Sequence, residues 1–292
     1  MGSHACHRMR RLLSELGPEQ PFAAAAVTTA ATIVPDYALE FKDLPVEVED
    51  MAELIRSDGF VRFPAQISPE HCDRLVAGIF GLSPEKRWND GFPTPGPDAE
   101  YVQHLVGTEH EGMHVKGDYH LKNIWNRSRD FLNLIDLYPV CDVVEEVMGD
   151  DAHIIGQTGW VTGPGRPDQG LHLDYLPLEV PEEILKSGAV TMPVMIMTAH
   201  YYLDDVDEEL GPTKFIPNSH MAGRRPIAGE DSFHGVGAKS ILARKGDCVS
   251  TAHYTHACRA CPCCAGVPVL RTCSATTSMC DLSREASIAQ PV

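Results

Sequence analysis

The apolar positions of this chain change from helical spacing to strand-like alternation about halfway along it. Before residue 150 they recur every three or four residues, which is typical of amphipathic helices. This pattern predicts a helix over 46–57, a helix from Ser68 to Phe80, and a long helix over 128–148. Ser68 suits the N-cap of the second helix, and the following proline suits its first turn. A short strand is expected over 60–64.

The second half of the chain is predicted to consist of short strands with Gly and Pro between them. They are expected over 152–162, 170–175, 192–203, 213–217, 238–243, 247–252 and 267–276. Such spacing is typical of β-sandwiches and barrels. Residues 84–120 are rich in Gly, Pro, Asp and His and are expected to be irregular. The pattern therefore predicts a mainly β protein with flanking helices.

Length and composition indicate one globular domain. The chain has 292 residues, of which 43% are hydrophobic, and no run of apolar residues is long enough to span a membrane. The net charge of −17 argues against a nucleic-acid partner or an anionic membrane surface. Residues 1–40 are expected to be a poorly ordered or loosely docked N-terminal extension, and 41–292 a single domain. A small-molecule partner is expected, and the oligomeric state stays open.

The N-terminal region bears on localisation. Arg8, Arg10 and Arg11 precede an apolar stretch over 22–27, as in a targeting segment. Glu and Pro residues interrupt this pattern, so we expect a cytoplasmic protein. An organelle transit segment stays an open alternative.

The candidate chemistry begins with His172 and Asp174 in the predicted strand 170–175. Residues i and i+2 of a strand point to the same face, so this imidazole and carboxylate project side by side. One more imidazole from a distant strand would complete the two-His, one-carboxylate triad of non-haem Fe(II) oxygenases, which leaves metal positions open. A lone His-x-Asp pair also occurs as an ordinary surface or hydrogen-bonded pair, so further motifs must support a metal site.

Those motifs follow in order along the chain. Gln169–Asp174 is followed by Leu203–Asp205, Gly211–His220 and Gly246–Asp247. Their order and spacing resemble the phytanoyl-CoA dioxygenase family of Fe(II)/2-oxoglutarate oxygenases. The resemblance implies a double-stranded β-helix core, the jelly-roll or cupin-like architecture. It also implies Fe(II), 2-oxoglutarate and O2, with 2-oxoglutarate decarboxylated to succinate and CO2 while a small-molecule metabolite is hydroxylated or otherwise oxidised.

The resemblance also suggests the third metal ligand and the anchor of the co-substrate. The family's last histidine follows the Gly-Asp motif at a spacing that favours His256 over His253. An arginine beyond it pairs with the distal carboxylate of 2-oxoglutarate, because a guanidinium binds carboxylates bidentately. Arg271, in the predicted strand 267–276, is favoured over Arg259.

Strand alternation and the resemblance add further pocket residues. Thr198 and His200 share one face of a predicted strand and are expected to line the barrel and contact 2-oxoglutarate. The expected substrate-binding residues are Gln157, Trp160 and Tyr175. His220, which ends the Gly211–His220 turn, is expected to be a structural cap of that turn.

The ten cysteines leave other interpretations open. Six of them lie from Cys258 to Cys280, with a Cys-x-x-Cys spacing at the start. They could form a zinc site, disulfides in a secreted protein, or a loop of free thiols, which the lack of a second spaced ligand pair favours. The tail after about Ser250 also departs from the family pattern. The alternative functions are therefore a catalytically impaired jelly-roll metal-binding protein or a zinc-binding module built on these cysteines.

Overall fold

The computed structural model describes most of the chain between residues 37 and 281. The described residues are 37–81, 119–122, 124–126, 128–150, 152–162, 169–173, 176, 179–190, 193–252, 257–259 and 272–281. Their α-helices are α1 (Val48–Asp58), α2 (Pro69–Gly81), α3 (Arg129–Leu132), α4 (Val140–Met148) and α5 (Glu182–Lys186). Short 3₁₀ helices are Ile124–Asn126, Glu208–Leu210 and Ser219–Ala222. Within the described residues, no helix has the length and apolar character that crossing a membrane requires.

The strands of the described residues form three antiparallel sheets. The strands are β1 (Phe60–Phe63), β2 (Tyr119–Lys122), β3 (Ala152–Thr162), β4 (Gln169–His172), β5 (Ile196–Tyr202), β6 (Thr213–Phe215), β7 (Ser232–Phe233), β8 (Val236–Gly237), β9 (Lys239–Ser240), β10 (Cys248–Ala252), β11 (Ala257–Arg259) and β12 (Thr272–Asp281). A six-stranded sheet has the order β1-β10-β5-β12-β3-β2, and a four-stranded sheet has the order β4-β11-β6-β9. Strands β7 and β8 form a separate hairpin. The prediction of a mainly β protein with flanking helices is confirmed.

The first helices and strand lie where the sequence predicts them. Helix α1 ends at Gly59, which has a left-handed φ of 86° and donates its N–H to the Ile55 carbonyl at 3.1 Å. Ser68 caps α2, because its hydroxyl accepts the His71 N–H at 3.2 Å.

The helix predicted over 128–148 is instead two helices, and the prediction of one continuous helix is wrong. Helices α3 and α4 are separated by a segment that ends at Pro139. Proline lacks an N–H and its ring clashes with the preceding turn of a helix, so it occupies the N-cap of α4 rather than an interior position. Ser128 caps α3 by accepting the Asp130 N–H at 3.1 Å.

Several elements differ from the sequence prediction. Strands β2, β7, β8 and β11 and helix α5 were not predicted. Of the strand predicted over 267–276, residues 267–271 lie outside the described residues, and β12 (Thr272–Asp281) contains the rest. Most of the segment 84–120 lies outside the described residues, and its last two residues begin β2.

One face of the six-stranded sheet is covered by helices. Strand β5 contributes Met197, Ala199 and Tyr201 to a buried core with the helices. The helical members of this core include Ile55 of α1, Leu75 and Ile79 of α2, Phe131 of α3, and Val143 and Val144 of α4. This helix-covered side contains the largest buried cluster of the described residues.

The opposite face of the same sheet packs against the four-stranded sheet. A second core joins Phe60, Tyr202 and Val249 of the six-stranded sheet to Phe215 of the four-stranded sheet. Leu39 belongs to this core and donates its N–H to the Ser240 carbonyl at 2.7 Å. Packing of the folded domain therefore begins before residue 41.

Candidate metal centre

His172 ends strand β4 and has a defined orientation. Its Nδ1 lies 2.9 Å from the Gly170 carbonyl oxygen. A carbonyl can only accept a hydrogen bond, so in the neutral imidazole Nδ1 carries the proton and Nε2 carries the lone pair. Backbone carbonyls hold metal-binding histidines in this way.

The opposite side of β4 is fixed by apolar packing. Leu171 packs against a cluster of Ile216, Ala222 and Phe233, and Leu173 is buried as well. Because side chains alternate along a strand, His172 projects away from this cluster. The packing of its neighbours thus sets the direction of the imidazole.

The sheet register defines which end of the molecule contains His172. Ala257, the first residue of β11, is in register with His172 on one side and with Phe215 on the other. His172 and Phe215 are the last residues of their strands. Strands β4 and β6 therefore end, and β11 begins, at the same end of the four-stranded sheet.

Part of the predicted site lies outside the described residues. Its members are Asp174, Tyr175, His253, His256 and Arg271. Within the part of the chain that the structure describes, there is no group of three or more His, Cys, Asp or Glu residues that could hold a metal. The ligand assignments, that of His172 included, stay predictions.

Other predicted residues lie on the inner face of the six-stranded sheet. Thr198 and His200 alternate with the helix-facing residues of β5 and so share the face of Tyr202. Trp160 is in register with Ser274, which is in register with Tyr202. Thr198 and His200, together with Trp160, therefore face the space between the two sheets, as the sequence predicts for β5.

Gln157 lies on the other face, which corrects its predicted proximity to substrate. It is in register with Thr277, which pairs with Ala199 of the helix-facing row. Its side chain is fully buried, and its Nε2 donates to the Phe131 carbonyl at 2.9 Å. Gln157 fastens β3 to α3 and is turned away from the inner face.

A partly buried ion pair, which the sequence motif Gly246–Asp247 did not reveal, joins β1 to the turn that precedes β10. Arg62 donates to Asp247 Oδ2 through Nη2 at 2.6 Å and Nε at 3.0 Å. The same carboxylate accepts the Ala65 N–H at 2.9 Å and the Arg244 N–H at 2.8 Å. Gly246 has a φ of 95°, and a Cβ there would lie 2.3 Å from the Ile67 carbonyl oxygen. The motif therefore forms a tight turn in which the Asp247 carboxylate accepts four hydrogen bonds.

His220 is buried in the turn after β6. Its Nε2 donates to the Arg56 carbonyl at the end of α1 at 3.2 Å, and burial lowers the pKa of its imidazole. The contact fastens this turn to α1. It supports the expectation that His220 is structural.

Two buried cysteines, Cys72 and Cys248, act as apolar packing in the helix-covered core. Cys72 and Cys248 are buried and belong to no disulfide. Burial raises the pKa of the Cys72 thiol to about 11 and raises the pKa of Cys248 further. Both thiols are therefore protonated and unreactive near neutral pH.

Comparison with solved structures identifies similar folds at low sequence identity. The non-haem α-ketoglutarate-dependent epimerase SnoN of nogalamycin biosynthesis is 15% identical, with a TM-score of 0.55 over 80% of this chain and 83% of that one. The carbocyclase SnoK of the same biosynthesis is 16% identical, with a TM-score of 0.53 over 85% and 94% of the two chains. HygX from Streptomyces hygroscopicus, solved with nickel, 2-oxoglutarate and hygromycin B, is 12% identical, with a TM-score of 0.55 over 80% and 87%.

Comparison with curated protein sequences finds no significant match. The family comparison, however, aligns residues 55–258 with the phytanoyl-CoA dioxygenase (PhyH) family. This match covers more than half of the chain, contains all four motifs, and includes His172, Asp174 and His256. The chain belongs to the phytanoyl-CoA dioxygenase family.

Proposed function

We propose that this protein is an Fe(II)- and 2-oxoglutarate-dependent oxygenase that acts on a small-molecule metabolite. The observation that carries the proposal is the geometry of His172 in a chain of this family. The hydrogen bond to Gly170 gives its Nε2 the lone pair that a metal requires. The strand register sets His172 opposite Ala257, which directly follows His256 in the chain.

The donor set fits iron. His172, Asp174 and His256 would provide two imidazoles and one carboxylate, the ligands that suit Fe(II) with open positions for co-substrate and O2. His256 lies one residue before the register partner of His172, which supports it over His253. When bound, the iron and its co-substrates supply the oxidising chemistry, and the protein supplies binding and orientation.

We also propose that the two sheets form a double-stranded β-helix. The strand allocation supports this, because successive strands from β4 onward are divided between the sheets. Strands β4, β6, β9 and β11 belong to one sheet, while β5, β10 and β12 belong to the other. Such an arrangement sets the metal strand across from the inner face of β5.

The inner face then holds the co-substrate and substrate. Thr198 and His200 are the proposed 2-oxoglutarate contacts on β5. Arg271, which directly precedes the first residue of β12, is the proposed partner of the distal carboxylate. Trp160 and Tyr175 are the proposed substrate contacts.

The proposed substrate is a small metabolite whose C–H bond is oxidised. The outcome is hydroxylation, epimerisation or ring closure. The structural neighbour SnoN is described as an epimerase and SnoK as a carbocyclase. The neighbour HygX, solved with hygromycin B, supports a substrate of natural-product size. Analysis of the reaction product distinguishes these three outcomes.

The first test removes the described ligand. We expect His172→Ala to lose Fe(II) binding and 2-oxoglutarate decarboxylation while the protein stays folded, because His172 is at a strand end and only partly buried. Anaerobic calorimetry with Fe(II), succinate release and circular dichroism measure these properties. His153→Ala, at an exposed position of β3, is the matched control and should retain iron. Stoichiometric zinc that persists in His172→Ala would contradict the proposal and favour a cysteine-based site.

The second test decides the third ligand. His253→Ala and His256→Ala alter two histidines of the same short connection between β10 and β11. We expect only His256→Ala to lose Fe(II), because His256 adjoins the register partner of His172. Iron analysis after anaerobic loading and desalting measures the difference. Loss of iron in His253→Ala alone would reverse the assignment.

A further inference from the structure

One short segment, Ala222–Gly223, contacts the chain both before and after the proposed ligands His172 and Asp174. It contacts Leu171 through an apolar cluster and Val180 through a hydrogen bond. This segment lies in the connection after β6, which begins at the same end of the four-stranded sheet as His172. Helix α5 lies in the connection after β4 and packs against the 3₁₀ helix Ser219–Ala222. The two connections therefore contact each other through α5 and this 3₁₀ helix.

Ala222 is on the side of the segment that supports β4. It is fully buried in the cluster with Ile216 and Phe233, and Leu171 packs against that cluster. Leu171 directly precedes His172. A shift of this cluster would therefore tilt the strand that carries the imidazole.

Gly223 contacts the chain beyond Asp174. Its carbonyl accepts the Val180 N–H at 2.8 Å, and both Val180 and Leu185 of α5 are buried. Gly223 has a φ of 64°, and a Cβ on it would lie 2.5 Å from both the Val180 carbonyl oxygen and Leu185 Cδ1. No side chain fits here without moving the Val180 backbone.

We propose that Ala222–Gly223 is a positioning clamp for the metal ligands. It holds β4 through Leu171 on one side of His172 and Asp174, and it holds the chain at Val180 on the other side. This inference rests on the proposed iron site. Groups that orient metal ligands without touching the metal influence affinity about 10- to 100-fold, so displacement of the clamp should weaken metal binding.

The clamp is tested by Gly223→Ala, with Gly229→Ala as its matched control. Gly229 lies in the same connection with a φ of 82°, but a Cβ there would meet nothing within 4 Å. Both substitutions introduce a side chain at left-handed backbone, and only the first displaces Val180. We expect Gly223→Ala to bind Co(II) about 10- to 100-fold more weakly and to change the ligand-field absorption of the bound Co(II). Gly229→Ala should keep the affinity and spectrum of the unmodified protein.

Thermal unfolding of the metal-free variants separates positioning from general destabilisation. Equal Co(II) affinity and identical spectra for Gly223→Ala and Gly229→Ala would overturn the clamp. If His172→Ala also retained Co(II), the proposed metal site itself would fail, which is a different result. If His172→Ala loses Co(II) and Gly223→Ala does not, only the clamp fails.

A second pair of variants covers the case in which Gly223→Ala does not fold. Leu185→Ala removes the buried side chain that contacts Gly223, whereas Ile184→Ala alters an exposed neighbour on the same helix. We expect weaker Co(II) binding and an altered spectrum for Leu185→Ala only. Indistinguishable affinities and spectra for this pair would likewise overturn the clamp.

Discussion

The two faces of strand β5 have opposite character. Met197, Ala199 and Tyr201 pack into the core beneath the helices, and the Tyr201 hydroxyl donates to the Leu134 carbonyl at 3.0 Å. Thr198 and His200 alternate with them on the inner face, beside Trp160 in the same sheet. One row of this strand therefore lies in the helix-covered core, whereas the other row combines the core residue Tyr202 with the proposed ligand contacts Thr198 and His200.

The comparison separates two kinds of substitution. A change in the helix-facing row removes close packing and should alter the free energy of unfolding. A change in the inner row removes polar groups from a space proposed to hold ligand, and it should alter ligand affinity. Gln157 illustrates the difference, because a polar residue in the helix-facing row serves as a structural tie to α3.

The largest expected effect is on the helix-facing side. Phe63 of β1 is fully buried there, so Phe63→Ala should lower the free energy of unfolding by about 3–5 kcal/mol. Urea denaturation of the metal-free protein measures this change. Val46→Ala, at a position that is 82% exposed, is the control and should have little effect. A loss no greater than that of the control would refute the assignment of this face as the main core.

An intermediate effect is expected on the inner face. His200→Ala should weaken 2-oxoglutarate binding by up to about tenfold, since one hydrogen bond contributes about 0.5–1.5 kcal/mol. The free energy of unfolding should change less than in Phe63→Ala. Anaerobic titration of the iron-loaded variant measures the affinity. Unchanged affinity together with a large loss of stability would mean that His200 is a core residue.

The smallest expected effect is a pH dependence due to His220. Burial lowers its folded-state pKa below the ordinary value of 6.5, so the unfolded chain binds more protons in the interval between the two values. Stability should therefore decrease as pH falls from about 6.5 towards the folded-state pKa. The charged groups near this contact are Asp58, Arg56 and Lys42, which pairs with Asp58.

His220→Gln tests this dependence. Urea denaturation across this pH interval should give a shallower stability profile for the variant than for the unmodified protein. Parallel profiles would show that protonation of His220 does not contribute.

The strands of the second half of the chain were partly predictable from the sequence. Strand β3 was predicted with both of its ends, because Gly and Pro residues separate the strands there. The sharing of one face by Thr198 and His200 followed from the two-residue period of a strand. The role of Gln157, in contrast, was expected from the family resemblance, which does not specify the face of β3 on which its side chain lies.

Short elements and long-range contacts were not predictable. Strands β7 and β8 have two residues each, too few for any periodic signal. The break between α3 and α4 depends on Pro139 overriding an apolar pattern that continues through it. The contact of Gly223 with Val180 and Leu185 depends on tertiary packing, which the local sequence does not encode.

The Arg62–Asp247 pair has a consequence for how the chain reaches its folded state. It joins residues 185 positions apart, and β1 forms its ladder with β10 at the edge of the large sheet. Contacts over such distances in the sequence slow folding. During synthesis, β1 and one edge of β5 stay without their partner until β10 has left the ribosome, and exposed strand edges promote aggregation. We therefore expect soluble yield in cells to depend on growth temperature and chaperone supply, and a chain cut before Cys248 to aggregate.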